Sequence, residues 1–396
     1  MPAMEEAIII SAVRTPIGKY MGAFASLSAV ELAAVAFRAA LERSGVSAAD
    51  IDEAILGNVV SAGVGMAPAR HAALKAGLPD TLPCFTVNKV CGSGLKAAML
   101  AAQAIKAGDA RVLLAGGTES MSNAPHLLRA RAGLGFGTGK LEDSLMTDGL
   151  ECCIEKWPMG HAAEHIAARF DISREDMDRF AAESHSKAIA AQVDGRFDAE
   201  IVGVDVPQKK GPPLRILQDE GPRKETSIEK LASLKPAFAK DGRVTAGNSS
   251  TLNDGAAAVV VAAASWASQH GVKPLARIRS YATSGVAPKD IFHAPALAVP
   301  EAIKRAGLTL NDIGLFELNE AFAAQALANI RVLGLNPDKV NVNGGAVALG
   351  HPLGASGARC LVTLLHAMKA RNERFGVVAL CLGGGNAVAM VVDAEC

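Results

Sequence analysis

Two cysteines and one histidine stand beside glycines in settings that favour nucleophilic chemistry. Cys91 follows a short apolar run and precedes Gly92-Ser-Gly94, after which an Ala- and Leu-rich pattern predicts a helix. The dipole and the free N–H groups at a helix N-terminus stabilise a thiolate, so Cys91 is a candidate nucleophile. A small buried core cysteine explains the same residue equally well when it is taken alone.

His351 and Cys381 are candidates for proton transfer. His351 lies between Gly350 and Pro352, so it is expected on a rigid turn, where a histidine can serve as a base. Cys381 ends an apolar run that leads into glycines 383–385, and glycines allow a ligand close to backbone N–H groups. Open sheets place catalytic groups at such strand ends. A packing histidine and a core cysteine remain the alternatives.

Asn319 and Glu320 follow an apolar segment, 313–318, that predicts a strand. An asparagine at a strand-to-helix corner can cap the helix, or it can hold a water or donate to an oxyanion. Glu320 can cap the helix or hydrogen-bond within the same site.

A dinucleotide-binding motif offers a different chemistry. Gly92, Gly94 and Ala97 match Gly-x-Gly-x-x-Ala. The expected acidic residue at the end of the next strand is not clear, because Asp109 precedes that strand and Glu119 follows it. An NAD-dependent oxidoreductase is therefore a rival hypothesis.

A possible zinc motif is formed by His161, Glu164 and His165, which match the inverted zinc-peptidase pattern. No third ligand can be identified near them in the sequence, and an amphipathic surface helix explains the spacing. We predict no bound metal.

An internal repeat indicates how these residues are positioned. Segment 43–51 recurs as 305–313, at an offset of 262 residues, and each copy ends an Ala-rich helix, passes a glycine and leads to a strand. The Gly-rich segments around Cys91 and His351 fall close to the same register. The repeat predicts two related α/β halves.

Four apolar runs predict the strands of these halves. Nearly continuous apolar runs are typical of strands buried on both faces, so each half is expected to contain a mostly parallel sheet. The runs are 7–13, 110–116, 256–263 and 376–392.

The segment between the two copies is longer than one half requires, and 121–251 is richer in charge and in Gly and Pro turns than its flanks. We therefore predict an inserted domain at 121–251, with helices near 160–193. The N-terminal half comprises 1–120 and 252–274, and the C-terminal half comprises 275–396.

Composition excludes several classes of protein. Forty Lys and Arg balance forty Asp and Glu, and half the residues are hydrophobic, which excludes a disordered chain and does not support a nucleic-acid partner. Seven cysteines without a disulfide pattern indicate a reducing compartment. The acidic start at 1–6 is unlike a signal peptide, and glycines interrupt the uncharged stretch 375–392, which predicts two strands instead of a membrane span. We expect a soluble cytoplasmic protein without a membrane partner.

Together these segments resemble the thiolase family, of the acetyl-CoA C-acetyltransferase type, along essentially the whole chain. The resemblance implies a five-layer αβαβα fold built from two duplicated βαβαβαββ halves, with a loop domain inserted in the first. It also implies a homotetramer, a dimer of dimers. The segments that carry it are 88–96, 116–121, 245–250, 319–322, 350–354 and 381–385.

The resemblance implies a role for each candidate. Cys91 would accept the acyl group, His351 would take its proton, and Cys381 would remove a proton from the methyl group of a second acetyl-CoA. The reaction would be the Claisen condensation of two acetyl-CoA to acetoacetyl-CoA, or thiolysis of 3-ketoacyl-CoA. His351 and a water held by Asn319 would stabilise the enolate. The N–H groups of Cys91 and Gly383 would stabilise the tetrahedral oxyanion.

Substrate contacts are carried over in the same way. Coenzyme A and acetyl-CoA enter as substrates, and no cofactor is permanently bound. Arg223 and Ser250 would contact coenzyme A, although a solvated loop charge also explains Arg223. The pantetheine and acyl tunnel would be lined by Ala246, Phe238, Met159 and Phe322.

Two positions depart from the family pattern. Pro158 stands where short-chain members often carry a histidine that touches the acyl group, and Lys230 stands where some relatives have a serine that contacts coenzyme A. Pro158 cannot donate a hydrogen bond, so a broader-chain 3-ketoacyl-CoA thiolase of fatty acid β-oxidation is an alternative. A catalytically inactive, thiolase-like scaffold is the non-enzymatic alternative.

Overall fold

The computed structural model describes residues 5–395. Cys396 and the first four residues of the acidic N-terminal segment lie outside this range. The eleven helices found within it are α1 Ala29–Ser44, α2 Pro68–Lys75, α3 Ser93–Ala107, α4 Met159–Arg169, α5 Arg174–Val193, α6 Ile228–Ala232, α7 Ala264–His270, α8 Pro295–Arg305, α9 Ala323–Leu333, α10 Ala346–Leu349 and α11 Leu353–Arg371.

The same range contains sixteen strands. They are β1 Ala7–Arg14, β2 Gly18–Lys19, β3 Glu53–Gly57, β4 Cys84–Val87, β5 Val112–Ser120, β6 His126–Leu128, β7 Leu141–Asp143, β8 Glu151–Cys152, β9 Trp157–Pro158, β10 Val204–Val206, β11 Leu214–Ile216, β12 Asn253–Ala263, β13 Ala276–Gly285, β14 Leu315–Leu318, β15 Phe375–Leu382 and β16 Asn386–Asp393.

Ten strands form one continuous sheet in the order β14-β15-β16-β13-β1-β12-β5-β3-β4, with β2 paired to β12. The two halves meet where β1 and β13 pair antiparallel, with Ile9 opposite Ala276. Strand β15 pairs antiparallel with β16, in a register that places Cys381 opposite Ala387. Strand β14 pairs parallel with β15.

The prediction of mostly parallel sheets is wrong. Among the strands within residues 5–395, only the pairs β14–β15, β3–β4 and β3–β5 are parallel. Helices cover both faces of the sheet, so the apolar runs report burial on two sides and carry no information on strand direction.

Five layers are present, which confirms the expected architecture. Helices α1 and α2 pack outside the first half-sheet, α3 and α11 lie side by side between the halves, and α8 covers the outer face of the second. A glycine allows the two helices of the central layer, α3 and α11, to approach each other closely. A Cβ on Gly94 of α3 would lie 2.8 Å from the backbone nitrogen of Ala358 in α11.

The internal repeat is also confirmed. Helix α1 ends at Gly45 in the left-handed conformation, and α8 is followed by Gly307 in the same conformation. Each helix leads through a short 3₁₀ turn to a strand, and the strands β3 and β14 begin 262 residues apart. The two halves therefore place their corresponding strand ends toward one central region.

The segment 121–251 contains the small strand pairs β6–β7, β8–β9 and β10–β11 and helices α4–α6. Helices α4 and α5 occupy the predicted 160–193 region. The exact boundaries of the inserted domain remain a prediction.

The long uncharged stretch near the C-terminus forms strands β15 and β16 around a glycine turn, as expected. Among residues 5–395, no helix has both the length and the apolar character needed to cross a bilayer.

Candidate active site

Cys91 lies on a sharp turn between β4 and α3. Val90, just before it, has φ of 48°, an uncommon conformation for a β-branched residue and a source of strain. The Ser93 hydroxyl accepts from the Lys89 N–H at 2.8 Å and donates to the Val90 carbonyl at 2.6 Å, which closes the turn. A Cβ on Gly92 would lie 2.4 Å from a side-chain methyl of Leu382 and 2.8 Å from one of Val388, so a larger residue would have to displace these buried side chains of β15 and β16.

His351 is held in place by two hydrogen bonds, one through its backbone N–H and one through a ring nitrogen. Its N–H donates to Asn253 Oδ1 at 3.0 Å, and its Nδ1 lies 2.6 Å from Ser356 Oγ. Ser356 donates its hydroxyl proton to the Pro352 carbonyl at 2.8 Å, so it accepts from Nδ1–H. This assignment leaves Nε2 unprotonated, 3.4 Å from Asn319 Nδ2, and available as a base.

Cys381 and Gly383 reach the site from the end of β15. Cys381 is buried, and the turn that follows has Gly384 and Gly385 at positive φ, which glycine adopts without strain. The backbone N–H of Gly383 lies near the sulfur of Cys91, where it acts to lower the pKa of the thiol.

One cavity of about 170 Å³ brings these groups together, with Cys91, His351, Cys381 and Gly383 all in its wall. Asn319 is buried behind His351 and contacts the site through the histidine ring. It does not cap α9, whose N-cap is Phe322, so the simple capping alternative for Asn319 is wrong.

The three titratable groups of the cavity are neutral near pH 7. Burial raises the pKa of Cys91 to about 12, although the residue is only partly buried overall and the backbone N–H groups of Gly383 and Cys91 act in the opposite direction. Burial, followed by the proximity of Cys91, raises the pKa of Cys381. Burial, followed by the positive charge of Arg359, lowers the pKa of His351 to about 3.

This direction runs against the expectation that the helix dipole stabilises a resting Cys91 thiolate. Desolvation of the sulfur is the largest effect on the pKa, the N–H of Gly383 opposes it, and the charge of buried Glu119 adds to it. The site holds two thiols and one imidazole, which can exchange a proton when a substrate carbonyl is attacked.

Four of the predicted substrate contacts lie in the same cavity wall: Met159, Phe238, Ser250 and Phe322. Phe238 and Phe322 meet edge to face with ring centroids 6.2 Å apart. Pro158 also lines this cavity, and its side chain offers no hydrogen-bond donor there.

The structure does not bring Arg223 and Ala246 into this cavity. They line a neighbouring cavity of about 230 Å³, together with Lys230, and Thr251 belongs to both walls. Both Arg223 and Lys230 are exposed at this position.

The rival motifs have packing or hydrogen-bonding explanations. Gly94 allows α3 to approach α11, as described above. Glu164 accepts from the N–H groups of Arg243 and Val244, and His165 pairs with Asp290 at 2.9 Å. Within residues 5–395, no cluster of three His, Cys, Asp or Glu side chains could hold a metal ion.

Sequence reasoning missed the supporting residues. Ser356, five residues after His351, orients the ring, and the spacing of a serine one helical turn after Pro352 is a signal that could have indicated it. Cys360 lies with its sulfur 3.9 Å from Asn319 Oδ1, and no sequence pattern pointed to that contact.

Comparison with known proteins identifies the family. The chain matches the family models "Thiolase, N-terminal domain" over residues 7–265 and "Thiolase, C-terminal domain" over residues 272–394. It therefore belongs to the thiolase family, an assignment that agrees with the five-layer fold and the cysteine- and histidine-lined cavity.

Particular relatives are similar along nearly their whole length. The acetyl-CoA acetyltransferase of Cupriavidus necator is 52% identical, with 98% of this chain and 100% of the relative aligned. The acetyl-CoA acetyltransferase of Escherichia coli K12 is also 52% identical, over 98% and 99%. The crystal structure of the Bacillus anthracis acetyl-CoA acetyltransferase superposes with a TM-score of 0.98 at 42% identity, covering all of both chains.

Proposed function

We propose that this protein is an acyl-CoA C-acyltransferase that condenses two acetyl-CoA to acetoacetyl-CoA and coenzyme A, and catalyses the reverse thiolysis, through an acyl group on Cys91. The observation that carries the proposal is the single cavity whose wall contains Cys91, His351, Cys381 and Gly383. Two reactive thiols beside a histidine are needed neither by an NAD-dependent oxidoreductase nor by an inactive scaffold.

In the first half-reaction, His351 Nε2 accepts the Cys91 proton as the sulfur attacks the thioester carbonyl. The oxyanion of the tetrahedral intermediate is stabilised by the N–H groups of Cys91 and Gly383. The bond from the acyl carbon to the coenzyme A sulfur then breaks. The departing sulfur takes a proton from Cys381, which leaves acetyl-Cys91, protonated His351 and a Cys381 thiolate.

In the second half-reaction, the Cys381 thiolate removes a methyl proton from a second acetyl-CoA. Protonated His351, with a water held by Asn319, stabilises the enolate oxygen. The carbanion attacks the acetyl carbon on Cys91, the bond to the Cys91 sulfur breaks, and that sulfur recovers its proton from His351. Neutral resting groups support this sequence, because each proton is transferred within the cavity and none must come from bulk water.

We place coenzyme A so that its pantetheine arm runs past Met159, Phe238 and Phe322, with Ser250 near the amides. Its nucleotide end lies toward the neighbouring cavity with Arg223 and Ala246. Thr251, shared by both cavities, supports this path. The positive charge of Arg223 suits a phosphate. No permanently bound cofactor enters the scheme, and we further propose a cytoplasmic homotetramer.

The activity is tested by adding coenzyme A and monitoring the loss of acetoacetyl-CoA through the absorbance of acetoacetyl-CoA at 303 nm. We expect coenzyme-A-dependent loss with the wild type and none above background with Cys91→Ala. A wild type without this activity would refute the proposed function. Activity that survives in Cys91→Ala would refute the nucleophile, and a series of 3-ketoacyl-CoA chain lengths would separate short-chain from broader-chain use.

A further inference from the structure

Glu320 is a buried carboxylate that the reaction scheme does not use. It directly follows Asn319 and is 1% exposed, yet it is absent from the wall of the reactive cavity. It faces a separate cavity of about 150 Å³ on the other side, together with Ser184 and Asn341. A buried carboxylate is costly unless it is fully hydrogen-bonded, so its partners indicate its role.

Every contact that Glu320 makes is to a donor. Oε1 accepts from Asn341 Nδ2 at 2.7 Å, and Oε2 accepts from Ser184 Oγ at 2.7 Å and from the Val347 N–H at 3.1 Å. Burial raises the pKa of Glu320, while these hydrogen bonds act in the opposite direction. Three donors around two oxygens suit a group that accepts hydrogen bonds, as a carboxylate does.

These hydrogen bonds connect Glu320 to the segments that carry Asn319 and His351. Asn341 exchanges two hydrogen bonds with the backbone of Leu318, immediately before Asn319, at 2.8 Å each. Val347 belongs to α10, which leads directly to His351. Ser184 belongs to α5 and also accepts from the Gly345 N–H at 3.1 Å.

We propose that Glu320 is a positioning residue that holds Asn319 in place beside His351, which is itself held by Asn253 and Ser356, and that Glu320 thereby sets the geometry of enolate stabilisation. This inference rests on the proposed function, because it assigns Asn319 to the condensation half-reaction. The close fit supports it: a Cβ on Gly345 would lie 2.2 Å from the Glu320 carboxyl carbon, so the backbone there is shaped around this side chain.

Glu320→Gln tests the role, because one of its terminal atoms becomes an NH₂ group that faces donors. Acetyl transfer to Cys91 is measured by exchange of labelled coenzyme A into acetyl-CoA, which does not require Asn319. Condensation is measured as acetoacetyl-CoA formation. We expect exchange within about threefold of the wild type and a condensation kcat lower by about 10- to 100-fold, the usual cost of a misplaced catalytic group.

A substitution at the other end of the link provides the second test. Asn341→Ala removes the amide that joins Glu320 to the Leu318 backbone, so it should reduce condensation selectively, as Glu320→Gln does. We expect Glu320→Gln with Asn341→Ala to be no worse in condensation than Asn341→Ala alone, which is the coupling expected of two residues in one hydrogen-bond network. Glu301→Gln, on the outer helix α8, serves as the matched control and should leave both rates unchanged.

The outcomes separate the two proposals. A wild type with neither exchange nor condensation contradicts the proposed function. If the wild type catalyses both reactions and Glu320→Gln loses exchange and condensation in equal proportion, Glu320 is merely structural and the inference is overturned. Unchanged condensation in Glu320→Gln, or losses in the double variant that equal the sum of the two single losses, also overturns it.

Discussion

Ser356→Ala isolates the hydrogen bond that orients His351. The Ser356 hydroxyl lies 2.6 Å from Nδ1 and is itself held by the Pro352 carbonyl at 2.8 Å. Without the Ser356 hydroxyl, the His351 ring has two options. Either its buried Nδ1–H stays unpaired, or the proton shifts to Nε2, and a protonated Nε2 cannot accept the Cys91 proton. An unpaired buried donor costs about 1–3 kcal/mol.

That free energy sets the expected size of the effect. At 1.36 kcal/mol per factor of ten, the loss in kcat/KM is roughly 5- to 150-fold. The assay is acetoacetyl-CoA thiolysis at fixed pH, with the thermal midpoint measured in parallel. Ser356→Thr is the matched variant, because threonine in a helix keeps a hydroxyl bonded to the carbonyl four residues earlier. Unchanged kcat/KM in Ser356→Ala, or equal losses in both variants, would refute the tautomer assignment.

Two further predictions concern pH and chain length. Because the pKa of His351 is lowered to about 3 and that of Cys91 raised to about 12, both stay neutral from pH 6 to 9, and kcat/KM for condensation should be flat there. Burial raises the pKa of Glu119 to about 7, so an acidic limb that disappears in Glu119→Gln belongs to that residue. A limb near pH 6.5 that persists in Glu119→Gln would contradict the prediction. Pro158→His adds a donor to the acyl cavity and should raise the preference for acetoacetyl-CoA; equal kcat/KM ratios across chain lengths in both proteins would argue against it.

The sequence by itself determined the elements and the candidates. Apolar runs, glycine caps and the 262-residue repeat were enough to predict two α/β halves, because burial and helix termination depend on local residue type. Glycines beside Cys91, His351 and Cys381 indicated turns where side chains and N–H groups can face a ligand. These three residues, from distant parts of the chain, do share one cavity.

Strand direction and the protonation of the site were decided only by the tertiary structure. A strand covered on both faces has the same composition whether its neighbour is parallel or antiparallel, so the apolar runs could not distinguish β12 from a parallel strand. Likewise, a helix N-terminus favours the Cys91 thiolate, but desolvation of the sulfur, which follows from tertiary packing, raises the pKa of Cys91.

The supporting hydrogen bonds were also beyond sequence reasoning. Glu320 gains its role from Ser184, 136 residues earlier, and from Asn341, 21 residues later, and neither separation has a periodicity that a pattern could reveal. Residues that hold a site in place are recognised by what their atoms contact. Those contacts exist only after the two halves and the segment between them have packed together.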